Sequence, residues 1–198
     1  MISIVNYGMG NLGSIINMLK KIGQDSKLVS MPSEIRSSER IILPGVGSFD
    51  NAMRLLRDLH LTEPIREAAT KGIPILGICL GMQLLGTKSE EGELSGLDLI
   101  PGKIIRFPQL DGLKIPHMGW NQVKFYDERL ISGLETNRFY FVHSYYFDVQ
   151  QPADMAGETV YGITFPSVIR KNNITGFQFH PEKSHKYGMQ LLRNFVAC

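Results

Sequence analysis

The sequence predicts an α/β fold: one mostly parallel sheet flanked by helices, with an antiparallel extension in its second half. Three observations carry this. Short apolar runs alternate with stretches whose apolar residues recur at helical spacing through the first half. The run Ile73–Ile78 is wholly apolar, as expected of a strand covered on both faces. After residue 90 short strands follow one another with turn residues between them and few helices.

Taken in order, residues 2–6 read as a first strand, and residues 11–22 as a helix with Leu12, Ile15, Ile16, Leu19 and Ile22 on one face. Lys27–Ser30 and Arg40–Leu43 are brief strands, the second ended by Pro44-Gly45-Val46-Gly47. Residues 49–70 form one or two helices, with Pro64 opening the second. Ile73–Ile78 leads into a helix from about Leu80 to Leu85. The later strands are Ile104–Phe107, Gln122–Phe125, Phe139–Phe147, Val160–Phe165, Ser167–Arg170 and Ile174–Phe179, and Lys186–Val196 is a terminal helix. No repeat, low-complexity tract or linker divides residues 1–198, so the expectation is one domain.

Composition narrows the function classes. Hydrophobic residues are 43% and charged residues 20% of the 198, the balance of an ordinary globular protein. A formal net charge of +2, with basic residues scattered, gives no footprint for nucleic acid or an anionic membrane. The N-terminus MISIVNYGMG has no basic leader, and its apolar run is too short for a signal peptide or a span. Two cysteines, Cys79 and Cys198, make no disulfide framework, so a cytoplasmic setting is expected.

The most informative segment is Gly77-Ile78-Cys79-Leu80-Gly81, where a buried strand turns directly into a helix. This is the form of a nucleophile elbow with cysteine at its apex. Glycines two positions to either side relieve collisions in the tight turn, the thiol stands over the carboxyl edge of the sheet, and the Leu80 N–H points where an oxyanion forms. The alternative is that Cys79 is a small buried hydrophobe. A cysteine nucleophile needs a base and a group to orient it. Of the five histidines, His180 ends the apolar strand Ile174–Phe179 and opens His180-Pro181-Glu182, which can return the Glu182 carboxylate to the imidazole. His60 and His185 read as surface residues, His117 as a loop residue, and His143 as a hydrogen-bonded strand residue; no histidine spacing matches a metal signature.

Together, Pro44-Gly-Val-Gly47, the Cys79 elbow with Gln83, and His180-Pro-Glu182 resemble the class I (triad) glutamine amidotransferases. Within that family the chain is similar to the glutaminase subunits of imidazole glycerol phosphate synthases, through Tyr7-Gly-Met-Gly-Asn11, Ser89-Glu-Glu-Gly92, Pro116-His-Met-Gly-Trp-Asn121 and Phe141-Val-His-Ser-Tyr145. The resemblance implies a flavodoxin-like amidotransferase domain without a cofactor. It implies Cys79 as nucleophile, His180 as general base and acid, and Glu182 as its partner. Val46 and Gly47 with Leu80 would meet the oxyanion, while Gln83, Glu91, Ser144 and Tyr145 would hold L-glutamine. Ammonia would pass to a (βα)8-barrel cyclase subunit that makes imidazole glycerol phosphate in histidine biosynthesis. Asn11, Trp120 and Lys183 would lie near the docking face, and the free subunit would be almost inactive.

Asn6 and Gly13 depart from the residues many members carry, and Gly10–Ser14 and Glu182–Lys186 also resemble paralogues that supply ammonia to surface-polysaccharide sugars. Three rivals remain. Gly8-x-Gly10-x-x-Gly13 spells a dinucleotide fingerprint, but the second strand ends in Ser30-Met31-Pro32 without the required acid. A partner-independent cysteine hydrolase would not need Gln83 and Glu91 to read a free amino acid. A non-enzymatic regulatory module would not need all three triad residue types.

Overall fold

The structure, a computed structural model, describes residues 1–197; Cys198 lies outside the described residues. The first half runs β1 (Ile2–Val5), α1 (Leu12–Lys21), β2 (Ser26–Val29), α2 (Pro32–Arg36), β3 (Ile41–Gly45), α3 (Phe49–Asp58), α4 (Thr62–Thr70), β4 (Ile75–Cys79) and α5 (Leu80–Leu84). The second half runs β5 (Lys88–Ser89), β6 (Gly102–Arg106), β7 (His117–Gln122), β8 (Lys124–Phe125), α6 (Glu128–Ile131), β9 (Arg138–His143), β10 (Tyr145–Val149), β11 (Met155–Tyr161), β12 (Ile163–Lys171), β13 (Ile174–Phe177) and α7 (His185–Ala197).

The main sheet has the order β2-β1-β3-β4-β13-β12-β11-β8. Its first five strands are parallel and the last three run antiparallel. The parallel part, with β13 as fifth strand, has the doubly wound order 2-1-3-4-5, and such sheets gather their sites at the carboxyl ends of the strands. Every residue of β1, β3, β4 and β13 is buried, because helices cover both faces. Ile41 and Leu43 point into the core shared with Phe49, Leu56 and Ile65 of α3 and α4. Ile42, between them, points into the core shared with Ile15, Leu19, Leu191 and Phe195 of α1 and α7. Each such Leu, Ile or Phe contributes about 1.5–3 kcal/mol by leaving water.

The sequence expectations hold closely in the parallel half and less so beyond it. α2 escaped notice because five residues with only Ile35 buried give no periodicity; its start is fastened by Glu34, whose Oε2 accepts the N–H groups of Ser30 (2.9 Å) and Met31 (3.0 Å). The stretch Val160–Phe165 is a hairpin rather than one strand: β11 turns into β12 at Gly162, φ +69°. Phe139–Phe147 is also two strands, because β9 pairs with β7 while β10 crosses to β6. Ser144 is the break.

Candidate active site

β4 ends on Cys79, and α5 begins at the next residue. Cys79 has φ +55° and ψ −112°, a conformation that costs a side-chain-bearing residue of order 1–3 kcal/mol and persists only where its surroundings over-determine it. The surroundings are glycines. A Cβ on Gly77 would stand 2.5 Å from the Gly81 carbonyl oxygen, and one on Gly81 would stand 1.9 Å from the Leu43 carbonyl oxygen. A Cβ on Gly45 would meet the Gly81 nitrogen at 2.8 Å. α5 can therefore cross β3 and β4 at backbone distance, which presses the elbow into its strained shape. Gly45 is the register partner of Cys79, so the exposed Val46-Gly47 turn starts beside the thiol. Gly47 supplies the second conformational demand, φ +103°. The turn is anchored from below by Tyr7, whose hydroxyl donates to the Pro44 carbonyl at 2.7 Å; burial, then the charge on Cys79, push that hydroxyl above its ordinary pKa.

β13 lies parallel to β4 with Phe177 opposite Ile78, so the chain leaving β13 delivers His180 to the same edge. His180 Nδ1 is 2.7 Å from Glu182 Oε1, with side-chain exposures of 1% and 2%. The 3-10 turn Pro181–Lys183 makes this possible by folding the carboxylate back onto the ring two residues earlier. With Nδ1 engaged by the carboxylate, Nε2 is left buried and without a hydrogen-bond partner. Burial works against a charge on the ring, but the charge on Cys79 and the Glu182 carboxylate outweigh it and raise His180 from 6.5 to about 10. An imidazole so placed holds its proton at neutral pH.

These groups share a cavity of about 310 Å³ lined by Val46, Gly47, Cys79, Leu80, Gln83, Glu91, His143, Ser144, Tyr145 and His180, among others. All the residues singled out from sequence as catalytic or substrate-holding line it except Glu182, which stands behind His180. The Gln83 amide nitrogen donates to the Tyr145 carbonyl and to Gln178 Oε1, both at 3.1 Å. Glu91 Oε2 accepts the Phe49 N–H at 2.8 Å, which ties the loop after β5 to the start of α3, directly beyond the Val46-Gly47 turn. Gln178 was not foreseen. It is fully buried and connects Gln83 to the Cys79 sulfur, 3.9 Å from its Nε2; its only signal was a polar residue two positions before His180 inside an apolar run.

Asn11, Trp120 and Lys183 stand outside the cavity, all exposed. The Trp120 ring stacks on His185 at 5.5 Å, and Lys183 Nζ lies 5.7 Å from the Tyr140 ring centre. Gly8 and Gly10, with φ +90° and +107°, shape the turn between β1 and α1. Among the described residues, no group of three or more His, Cys, Asp or Glu is disposed to hold a metal ion, and no helix is long and apolar enough to cross a membrane.

Residues 3–198 match the family model described as glutamine amidotransferase class-I. The chain is 48% identical over 199 residues to imidazole glycerol phosphate synthase subunit HisH 2 of Methanococcus maripaludis, covering 99% of this chain and 98% of that one. It is 47% identical to the subunit of the same name in Pseudomonas aeruginosa, again over 99% and 98% of the two chains. A crystal structure of a glutamine amidotransferase superposes with a TM-score of 0.79 over 100% of this chain and 98% of that one, at 18% identity, a likeness of fold.

Proposed function

Because the chain belongs to the class I glutamine amidotransferase family, we propose that the cavity at Cys79 hydrolyses L-glutamine and that the ammonia serves an imidazole glycerol phosphate synthase. The observation that carries this reading is convergence: the Cys79 elbow with Gln83, the His180–Glu182 pair, Glu91 and Tyr145 meet around one cavity from four separate stretches of chain.

The chemistry follows from the geometry. The Cys79 thiolate attacks the side-chain amide carbon of glutamine, and the oxyanion forms between the Leu80 N–H and the backbone of Val46-Gly47. His180, charged on arrival, gives its Nε2 proton to the amide nitrogen as the C–N bond breaks, and ammonia leaves. The now neutral ring takes a proton from water, the hydroxide attacks the thioester, and the C–S bond breaks to release glutamate and the thiolate. Glu182 holds the ring in the tautomer that presents Nε2 throughout. At the other end of the substrate, Glu91 offers an anion to the ammonium group, and the Tyr145 N–H a donor to the carboxylate.

The partner is a cyclase subunit, in our reading a (βα)8 barrel forming a heterodimer with this chain across the face that carries Asn11, Trp120 and Lys183. The exposed turn at Val46, between Gly45 and Gly47, is the element that docking would set into its oxyanion-binding form, so the free subunit is expected to turn over little glutamine. Cys79→Ser in the complex tests the assignment. Glutamine-dependent synthesis of imidazole glycerol phosphate should disappear while ammonia-dependent synthesis persists; persistence of both overturns it. Ammonia-dependent product from a sugar-modifying partner only would move the acceptor to the surface-polysaccharide class and leave the glutaminase intact.

A further inference from the structure

His143 faces the cavity yet takes no part in the chemistry above, and behind it lies a run of buried polar groups that the mechanism leaves unused. His143 Nδ1 is 2.7 Å from the Tyr145 carbonyl oxygen, and its Nε2 is 3.0 Å from His117 Nδ1. His117 Nε2 is in turn 3.2 Å from Asn121 Nδ2. The direction of this chain is fixed at both ends. A carbonyl only accepts, so His143 must carry its proton on Nδ1 and accept on Nε2. At the far end the Asn121 amide is oriented by the Gln122 N–H, which its Oδ1 accepts at 2.7 Å, and by the Val160 carbonyl, to which its Nδ2 donates at 2.9 Å. Every bond is then satisfied in one arrangement only: Asn121 donates to His117, His117 to His143, and His143 to Tyr145, with both rings neutral.

The surroundings are built to keep that arrangement. His117 is sandwiched between Tyr161 (ring centres 3.9 Å apart) and Phe141 (4.7 Å). His117 and His143 are 2% and 6% exposed and are register partners across β7 and β9. Burial holds both well below the ordinary histidine pKa, at about 4 and about 3.

At its receiving end is the Tyr145 carbonyl, one peptide beyond the N–H that meets the substrate. Ser144 offers its carbonyl to the Phe107 N–H at 3.1 Å. The Ser144–Tyr145 peptide is trans, so the Tyr145 N–H points the opposite way, away from β6. The Tyr145 carbonyl would repel an anion if it turned into the cavity. Two donors hold it, His143 and Gln83.

We propose that His143 and His117 are positioning residues for glutamine: the one-way hydrogen-bond chain they form with Asn121 holds the Tyr145 carbonyl out of the cavity, so that the Tyr145 N–H, on the preceding peptide, meets the substrate carboxylate with no carbonyl opposing it. This rests on the glutaminase reading, which the wild-type complex tests separately by hydrolysing glutamine or not. A residue that only orients a carboxylate-binding donor contributes equally to ground state and transition state, so its loss raises KM and spares kcat.

The test is steady-state glutaminase kinetics of the complex with L-glutamine and with L-glutamine α-amide, which lacks the charged carboxylate. His143→Leu should raise KM for glutamine about tenfold or more with kcat within about threefold, and leave the α-amide reaction unchanged, so that the preference between the two substrates collapses. His143→Asn, whose amide nitrogen can take the place of Nδ1, should recover most of the loss. Alkylation of Cys79 by iodoacetamide should proceed at the wild-type rate. If His143→Leu does not fold, Asn121→Leu carries the test from the far end, with an expected rise in KM of about threefold. A fall in kcat at unchanged KM, equal losses on both substrates, or His143→Asn no better than His143→Leu would overturn the proposal.

Discussion

Burial of the His180 ring disfavours its charged form, yet the charge on Cys79 and the Glu182 carboxylate push its pKa from 6.5 to about 10. The sign matters for both stability and chemistry. A histidine raised in the folded state contributes stability that is full below about 6.5 and is lost as pH rises through about 10. At neutral pH the proton is therefore already on the ring when glutamine arrives, and acid catalysis of ammonia departure precedes base catalysis of water attack. Cys79→Ser replaces a charged neighbour by a neutral hydroxyl, so burial should then prevail and the His180 pKa should drop by more than about one unit. NMR titration of the ring in wild type and variant checks this; a variant ring that still titrates near 10 would mean that Cys79 is not the source of the shift.

The strand-turn-helix element that carries Cys79 depends on glycines whose roles differ. In Gly81→Ala the new Cβ would lie 1.9 Å from the Leu43 carbonyl oxygen, and because that atom is backbone of β3 it cannot yield cheaply. We expect a loss of about 3 kcal/mol or more, with urea denaturation as the measurement. Gly13, in α1, has open space around its Cβ direction and an ordinary φ, so Gly13→Ala should stabilise by about 0.5–1 kcal/mol. Equal effects of the two changes would defeat the packing argument. The same element explains what could be read in advance. Gly77-x-Cys79-x-Gly81 is a local pattern set by a local turn, and His180-Pro181-Glu182 closes its own hydrogen bond across two residues, so both were visible in the sequence. The break at Ser144 was not, because one serine between apolar and aromatic residues of Phe139–Phe147 carries no turn signal, and only the change of pairing partner, from β7 to β6, divides the stretch. Gln178 and the His117–His143 contact were hidden for the same reason: their partners are 95 and 26 residues away, a separation that no local spacing encodes.

At the scale of the whole molecule, the paired histidines of β7 and β9 make folding sensitive to mild acid. Their folded pKa values are about 4 for His117 and about 3 for His143, against 6.5 ordinarily. Between pH 6.5 and about 4 the unfolded chain binds protons that the folded chain refuses, so stability falls as pH falls, by about 1.4 kcal/mol per pH unit for each ring. His180 opposes this only near pH 6.5, where its unfolded ring is half protonated and its folded ring fully so, and Glu34 and Asp50, both lowered by backbone hydrogen bonds, lose their contribution only as pH falls below the ordinary carboxylate range. Unfolding free energies from urea titrations at pH 6.5, 6.0, 5.5 and 5.0 should therefore decline with a slope approaching two protons. His117→Asn removes one titrating ring while keeping a donor near His143, and its slope should be about half that of wild type. A wild-type profile that is flat over this interval, or a variant with an undiminished slope, would show that the rings accept protons in the folded protein. The one-way donor chain to Tyr145 could not then exist as drawn, since a charged His143 has no acceptor left for His117.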